Sequence, residues 1–448
     1  MKAFNVRGNE IYINPVNGDF SLDEEELLTT LPYQVERHPP YSNNLYKSIT
    51  FCLEVSDVCN LRCAYCFNPS KSGKRMERGT AIGALNNLFS AFPKAERYFI
   101  DVSGDGEPLL NLPLIDDLSE YAKRKSDEID REVTVSLVTN GTLLSKEIAN
   151  RLQKKGILFG VSLDGNRENH DRYRIDANGR GTYEAVLKNV QSIEHRQYIG
   201  CAVTITREPF PLLETIKELK KTFKTISIKP VRSMKLGLNK ESLSYWEKEY
   251  EILEGELEKE LAHGDTSTLF CLLNGDDYFG KFILRSFLNL KALSRCDSGC
   301  GRVAVSFDGE YYPCVAMIRG KGKLGGIAKG FDFSSAEAIY SNQCQRKACD
   351  GCAFVYSCGG ECKVEFEAHG GNNPFMCAFK KKLILLAMLL EEKCRRGEQE
   401  TYQSVFDFCI QKIQRSGENP ALRKYRLKHP ELTFTKAKKA FNMEYPEY

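Results

Sequence analysis

Seventeen cysteines sit in this chain of 448 residues, three of them between positions 59 and 66 and nine between positions 296 and 377. Such a count is satisfied by disulfides or by metal. Disulfide-dense scaffolds are usually small and secreted, whereas this length corresponds to about three domains. The N-terminus, MKAFNVRGNEIYINPVNGDF, holds no apolar stretch of the kind a secretory signal needs. The longest apolar run, Leu383–Leu390, is too short to span a bilayer. The expectation is a reducing, cytoplasmic setting with no membrane partner, in which clustered cysteines serve as thiolate ligands. The odd total also fits complete pairing poorly. Lys and Arg number 63 against 60 Asp and Glu, a balance that gives no footing for a nucleic-acid partner.

The chain divides by pattern. Residues 1–48 read as a small β-rich lead-in, with Asn17-Gly18 between two extended runs as a hairpin signal. Residues 49–235 alternate. β-Branched runs at Ile49–Val55, Arg97–Val102, Val133–Val138, Leu158–Leu163, Ile199–Thr206 and Thr225–Lys229 are separated by helical patterns at Gly79–Phe92, Leu112–Arg124, Ser145–Lys154, Thr182–His195 and Pro211–Thr222. This spacing predicts βαβ units and a parallel sheet, as a partial barrel or an open doubly wound sheet. Residues 236–295 read as a helical linker whose acidic stretch suggests a solvated helix. Residues 296–378 are rich in Cys, Gly and Asp and suggest a metal-organised fold. Residues 379–448 form a helical extension with a basic tail.

The first cysteine group, CNLRCAYC, places Cys59, Cys63 and Cys66 on the loop after the first strand of the alternating region. Soft thiolates select zinc or iron–sulfur clusters. A complete cluster takes four cysteines, so three leave one metal position open, as catalytic sites do. On spacing alone a structural zinc knuckle stays open as the alternative.

The C-x3-C-x2-C spacing, with Tyr65 before the last cysteine, resembles the signature of the radical S-adenosylmethionine (SAM) superfamily. Further stretches match in order. Ser103-Gly104-Asp105-Gly106-Glu107-Pro108 resembles the motif that holds the SAM amino group; Asp105 replaces its first glycine, so the contact is carried onto Gly106 and Glu107. Thr139-Asn140-Gly141-Thr142 stands where the family places polar SAM contacts. Ser162-Leu163-Asp164-Gly165 with His170-Asp171 and Arg174 resembles the branch with extra clusters. The resemblance implies an α/β fold, a partial (β/α)6 TIM-like barrel with its site at the C-terminal strand ends. It implies SAM contacts from Tyr65, Gly106, Glu107, Asn140, Ser162, Asp164 and Arg174. By the same resemblance, the open iron is expected to bind the SAM amino and carboxylate groups, and an electron from a donor such as flavodoxin or ferredoxin to yield a 5′-deoxyadenosyl radical.

The later cysteines resemble the SPASM extension, which carries two auxiliary [4Fe-4S] clusters, three clusters in all. The resemblance assigns Cys296, Cys300, Cys314 and Cys362 to the first auxiliary cluster and Cys349, Cys352, Cys358 and Cys377 to the second. Gly309, five residues before Cys314, also matches. Zinc would be satisfied equally well by four thiolates without the first motif beside them. Cys52, Cys201, Cys271, Cys344, Cys394 and Cys409 read as small buried hydrophobes, with Cys344 a bystander near the auxiliary ligands.

Relatives with SPASM extensions mostly modify peptides. The main expectation is a maturase of ribosomally made peptides, forming a thioether or carbon–carbon crosslink in a precursor peptide. The alternatives are oxidation of Cys or Ser as in sulfatase maturation, small-molecule dehydrogenation or epimerisation, or a non-catalytic metal protein. Sulfatase-maturating enzymes carry an Asp directly after the cysteine equivalent to Cys314, thought to act as a base; here Val315 follows. No catalytic residue beyond the SAM cluster is assigned. The lead-in is short for a precursor-binding domain, so leader recognition is expected from the hairpin edge, from a separate partner or from the basic tail at 423–440 meeting an acidic leader.

Overall fold

The computed structural model describes every residue except 30–40, 43–45, 69–70, 196–198, 234, 293, 295, 345–348, 415–421, 423–424, 427 and 445–448. The lead-in is a three-stranded antiparallel sheet of β1 (Lys2–Val6), β2 (Asn9–Ile13) and β3 (Phe20–Ser21), followed by α1 (Glu24–Thr29). The predicted Asn17-Gly18 turn joins β2 to β3, with Gly18 at φ +76°. The β1–β2 turn is Arg7-Gly8, both at positive φ, the twist a tight hairpin requires. Arg in that position is a weak signal, and sequence reasoning passed over it.

All six predicted strands form and lie in chain order as one parallel run. They are β4 (Ser48–Leu53), β5 (Arg97–Asp101), β6 (Glu132–Thr139), β7 (Leu158–Ser162), β8 (Gly200–Ile205) and β9 (Thr225–Pro230). The intervening helices are α2 (Arg78–Ala91), α3 (Leu112–Ile129), α4 (Lys146–Lys154), α5 (Arg167–Tyr173), α6 (Tyr183–Gln191) and α7 (Leu212–Leu219). Alternation sets the two faces of β4. Ile49, Phe51 and Leu53 are buried on the helix side, where Phe51 meets Phe89 of α2 edge-on at 5.2 Å. Thr50, Cys52 and Glu54 therefore face the other way, and Cys52 accepts from Arg302 at 3.3 Å.

The sheet continues beyond β4 into the cysteine-rich region. The strand β10 (Arg302–Val305) pairs parallel with β4 in register Ala304↔Cys52, and β11 (Tyr311–Tyr312) pairs antiparallel with β10. The sheet order β11-β10-β4-β5-β6-β7-β8-β9 leaves β11 and β9 at opposite edges, so the barrel stays open.

The helices α8 (Lys240–Ala262), α9 (Ser267–Leu272) and α10 (Tyr278–Phe287) occupy the linker. The acidic helix α8 is not solvated all round. Trp246, Tyr250, Leu253 and Leu257 are buried, Trp246 donates to Thr206 O at 2.8 Å, and Tyr250 meets Phe279 and Phe379 edge-on. Its apolar stripe is hidden in sequence by the Glu and Lys that alternate with it.

The hairpin β12 (Gly325–Gly326) and β13 (Gly330–Phe331) precedes α11 (Phe333–Cys344), α12 (Val355–Cys358), α13 (Lys363–His369), α14 (Pro374–Arg396) and α15 (Gln399–Gln414). The apolar run Leu383–Leu390 lies in α14 and is buried throughout, as a helix apolar on all sides must be. Among the described residues no helix is long and apolar enough to cross a membrane. The basic tail ends in α16 (Phe434–Glu444), and its charge is partly engaged by the barrel: Lys438 pairs with Glu132 at 2.5 Å, Arg426 with Asp130, and Thr435 donates to Asp127 at 3.0 Å.

Candidate SAM and cluster sites

The loop after β4 carries Cys59, Cys63 and Cys66 and is fixed by backbone bonds to the segment after α5: Arg62 N donates to Ile175 O at 2.8 Å and Ala64 N to Tyr173 O at 2.9 Å. Cys66 N closes a turn onto Cys63 O, and Cys59 Sγ accepts from Leu61 N at 3.4 Å. All three thiols are part-buried and free of disulfides. Burial pushes the Cys63 thiol up to about 11, reinforced by Cys59, Asp164 and Cys66 and opposed by Arg174.

Two side-chain networks flank this loop. In the first, Asp164 is fully buried just past β7; Oδ2 accepts from Arg174 Nε at 2.8 Å and from the Tyr65 hydroxyl, and Oδ1 from Thr204 N at 2.8 Å. The Arg174 guanidinium lies 5.5 Å from the Tyr65 ring centre. His170 braces the pair. Its Nδ1 accepts from Asp164 N at 3.2 Å, which leaves Nε2–H to donate to Thr182 Oγ1 at 3.1 Å, and that hydroxyl donates to Arg174 O at 2.9 Å. Burial pushes the imidazole down to about 4, so the ring is neutral.

In the second network, buried Glu107 accepts from Thr139 Oγ1 at 2.6 Å, Asn140 N at 2.8 Å and Leu109 N at 3.1 Å. Asn140 Nδ2 donates to Asn60 Oδ1 at 2.9 Å, and Asn60 Nδ2 to Thr142 Oγ1 at 2.7 Å. Gly106, at φ +67°, lies so close to Ser56 O and Val58 O that a Cβ would collide with both carbonyls. Asp105, in place of a glycine, receives Lys71 Nζ at 2.6 Å and Asn68. The predicted Tyr65, Asp164 and Arg174 thus meet beside Cys63, while Gly106, Glu107 and Asn140 meet on the other side of the loop. Ser162 stands at the end of β7, paired in register with Ala202. Sequence reasoning missed Asn60, Lys71, Thr182 and Thr204; for Asn60 the available signal was its place inside CNLRC.

The later cysteines gather as two groups. Cys314 caps the short helical turn Val315–Met317, and Cys362 caps α13. Burial raises the Cys314 thiol, and Cys362 and Cys296 add to it. Burial also raises Cys300, to about 12, with Asp297 and Cys296 contributing. Arg232, after β9, would be lowered by burial, but Cys362, Glu365, Cys314 and Cys296 around it hold it up. Cys349, Cys352, Cys358 and Cys377 line one cavity. Four soft thiol donors lining one cavity suit a cubane, whose irons each take one thiolate. Of the remaining cysteines, Cys52, Cys201, Cys394 and Cys409 are buried and Cys271 is half-buried; the Cys344 side chain lies outside the described residues. Val315 packs against Cys52, Ala304 and Tyr312, an apolar wall.

Comparison with known proteins places these observations. A cysteine-type anaerobic sulfatase-maturating enzyme of Clostridium novyi is 26% identical over 365 residues, covering 74% of this chain and 93% of that one. The structure of native anSMEcpe with bound AdoMet superposes with a TM-score of 0.60 at 19% identity, covering 78% of this chain and 99% of the other. Streptococcus suis SuiB bound to precursor peptide SuiA superposes with a TM-score of 0.51 at 15% identity, covering 81% and 94%. At these identities the two structures speak to the fold alone, an α/β partial barrel followed by a cysteine-rich extension. The Radical SAM superfamily model matches residues 53–226, the stretch that carries Cys59, Cys63, Cys66 and both flanking networks; this chain carries a radical SAM domain.

Proposed function

We propose that this enzyme uses SAM to oxidise a Cys or Ser side chain of a polypeptide, the reaction of anaerobic sulfatase-maturating enzymes. The observation that carries it is the joint presence of the three-cysteine loop with its two flanking networks and a similarity to the Clostridium novyi maturase that runs through 74% of this chain. Bound at Cys59, Cys63 and Cys66, a [4Fe-4S] cluster with SAM supplies a one-electron reduction that ends in hydrogen-atom abstraction from the substrate. The chain's own residues orient and exclude. Tyr65, Asp164 and Arg174 form one wall beside Cys63, with Arg174 offering a cation toward a carboxylate. Gly106, Glu107 and Asn140 form the other wall, toward an ammonium group. Ser162 completes the set at the end of β7.

The same reading divides the chain into the lead-in 1–48, the SAM barrel 49–235, a helical linker 236–295, an auxiliary-cluster region 296–378 and a C-terminal extension 379–448. Cys296, Cys300, Cys314 and Cys362 would hold one auxiliary cluster; Cys349, Cys352, Cys358 and Cys377 would hold the other. A low-potential donor such as flavodoxin or ferredoxin supplies the electron, and a reducing compartment suits the free thiols.

Val315 supports a second reading. With no carboxylate after Cys314, crosslinking of a precursor peptide, the main sequence expectation, stays in play behind the oxidation. Anaerobically reconstituted enzyme, SAM, dithionite and Cys-containing or Ser-containing peptides separate the readings. Side-chain oxidation gives 5′-deoxyadenosine and an aldehyde trapped by a hydrazine probe. A crosslink gives loss of two hydrogens with no aldehyde. Absence of 5′-deoxyadenosine rejects both.

A further inference from the structure

The cavity enclosed by Cys349, Cys352, Cys358 and Cys377 has one polar side chain that aims a neutral donor at a ligand sulfur. Asn372 Nδ2 lies 3.7 Å from Cys349 Sγ, within range of an N–H···S bond. Its carbonyl oxygen is buried without a partner among the described residues, so the contact to sulfur is the bond that holds the amide there. The position is built. α13 ends on Gly370 at φ +65°, and Asn373 caps α14 through bonds to Phe375 N at 3.0 Å and Met376 N at 3.2 Å. Asn372 is held between these two caps, on the wall of the cavity.

Two lysines share the same wall. Lys380 is buried and pairs with Glu361 at 3.0 Å and Gly360 O at 3.1 Å. Lys381 lies over the Phe354 ring, 5.9 Å from its centre. Hydrogen bonds to cluster sulfurs favour the more reduced, more negative state and so raise its potential.

We propose that Asn372 is a positioning residue that sets the reduction potential of the cluster held by Cys349, Cys352, Cys358 and Cys377, through its amide bond to Cys349. The inference rests on the two-cluster reading above. The test is an EPR-monitored redox titration of the full chain, reconstituted anaerobically in a background with Cys59, Cys63 and Cys66 changed to Ala, so that only auxiliary signals remain. With Asn372→Leu, one of the two midpoints moves to more negative potential while iron stays at about eight per chain, four per cubane. Asn372→Asp moves the same midpoint further the same way. Unmoved midpoints with full iron overturn the proposal. Loss of about four irons in both variants, with an unchanged circular dichroism spectrum, also overturns it by making Asn372 a retention residue. If the parent background itself binds only about four irons, the two-cluster reading fails instead, whatever Asn372 does.

Discussion

The two cysteine regions are built by different means. Around Cys59, Cys63 and Cys66 the protein holds itself: Asp164, Arg174, Tyr65, His170 and Thr182 form one closed network, and Glu107, Asn140 and Asn60 another. The four cysteines at 349–377 instead line a cavity on short helices and glycine turns such as Gly359 and Gly360, both at positive φ. The barrel site is preorganised by protein; under the two-cluster reading proposed above, the extension would take its organisation from a cluster, and the two regions would serve two roles, one precise about a substrate and one about electrons.

The largest break in this contrast comes from the ligands themselves. Changing Cys59, Cys63 and Cys66 together to Ala should abolish SAM cleavage, measured as 5′-deoxyadenosine, while about eight irons remain on the extension. Cleavage that survives would refute the site assignment. Removing iron instead, by anaerobic chelation, acts on the other region. Because metal binding is folding free energy where no preformed site exists, hydrogen exchange should rise sharply across 296–377 and stay slow in β5 to β8. Equal loosening of both regions would erase the contrast.

Asp164→Ala tests the barrel half alone. It leaves the Arg174 guanidinium buried without its carboxylate, a change that costs about 3–5 kcal/mol when one partner of a buried pair is removed. Urea unfolding should show that loss, and SAM affinity should fall with it, while auxiliary iron content holds. A variant as stable as the parent would mean that the network is solvated in practice.

The barrel was legible because each strand is a β-branched run bounded by turns and each helix keeps its own period, signals that need no distant partner. β10 was not legible. RVAV is four residues in a Gly- and Cys-rich stretch, and what makes it a strand is β4, some 250 positions earlier. The same limit hid not the helix α8 but its burial, since Trp246 and Tyr250 are set among charges, and it hid α5, seven residues inside a motif read only for its chemistry. Site residues with a fixed motif position were readable. Asn60, Thr182 and Thr204 were not, since their roles lie in bonds to loops that sequence cannot bring together.

The smallest effect sharpens the barrel half of the comparison through pH. His170 is buried between an N–H that needs an acceptor and a hydroxyl that accepts its proton, so the folded ring refuses a second proton until about pH 4. An unfolded histidine takes that proton near pH 6.5. Between those values the unfolded chain binds more protons than the folded one, so stability is full above about pH 6.5 and drains as pH falls toward 4. The part due to this ring is at most about 3.5 kcal/mol, at about 1.4 kcal/mol per pH unit. His170→Asn removes the titration but keeps a polar side chain, so its urea midpoint should fall at neutral pH yet show a shallower decline between pH 6.5 and 4.5. Parallel curves for the two proteins would mean that the imidazole is reached by water, and that the barrel network is less closed than its bonds imply.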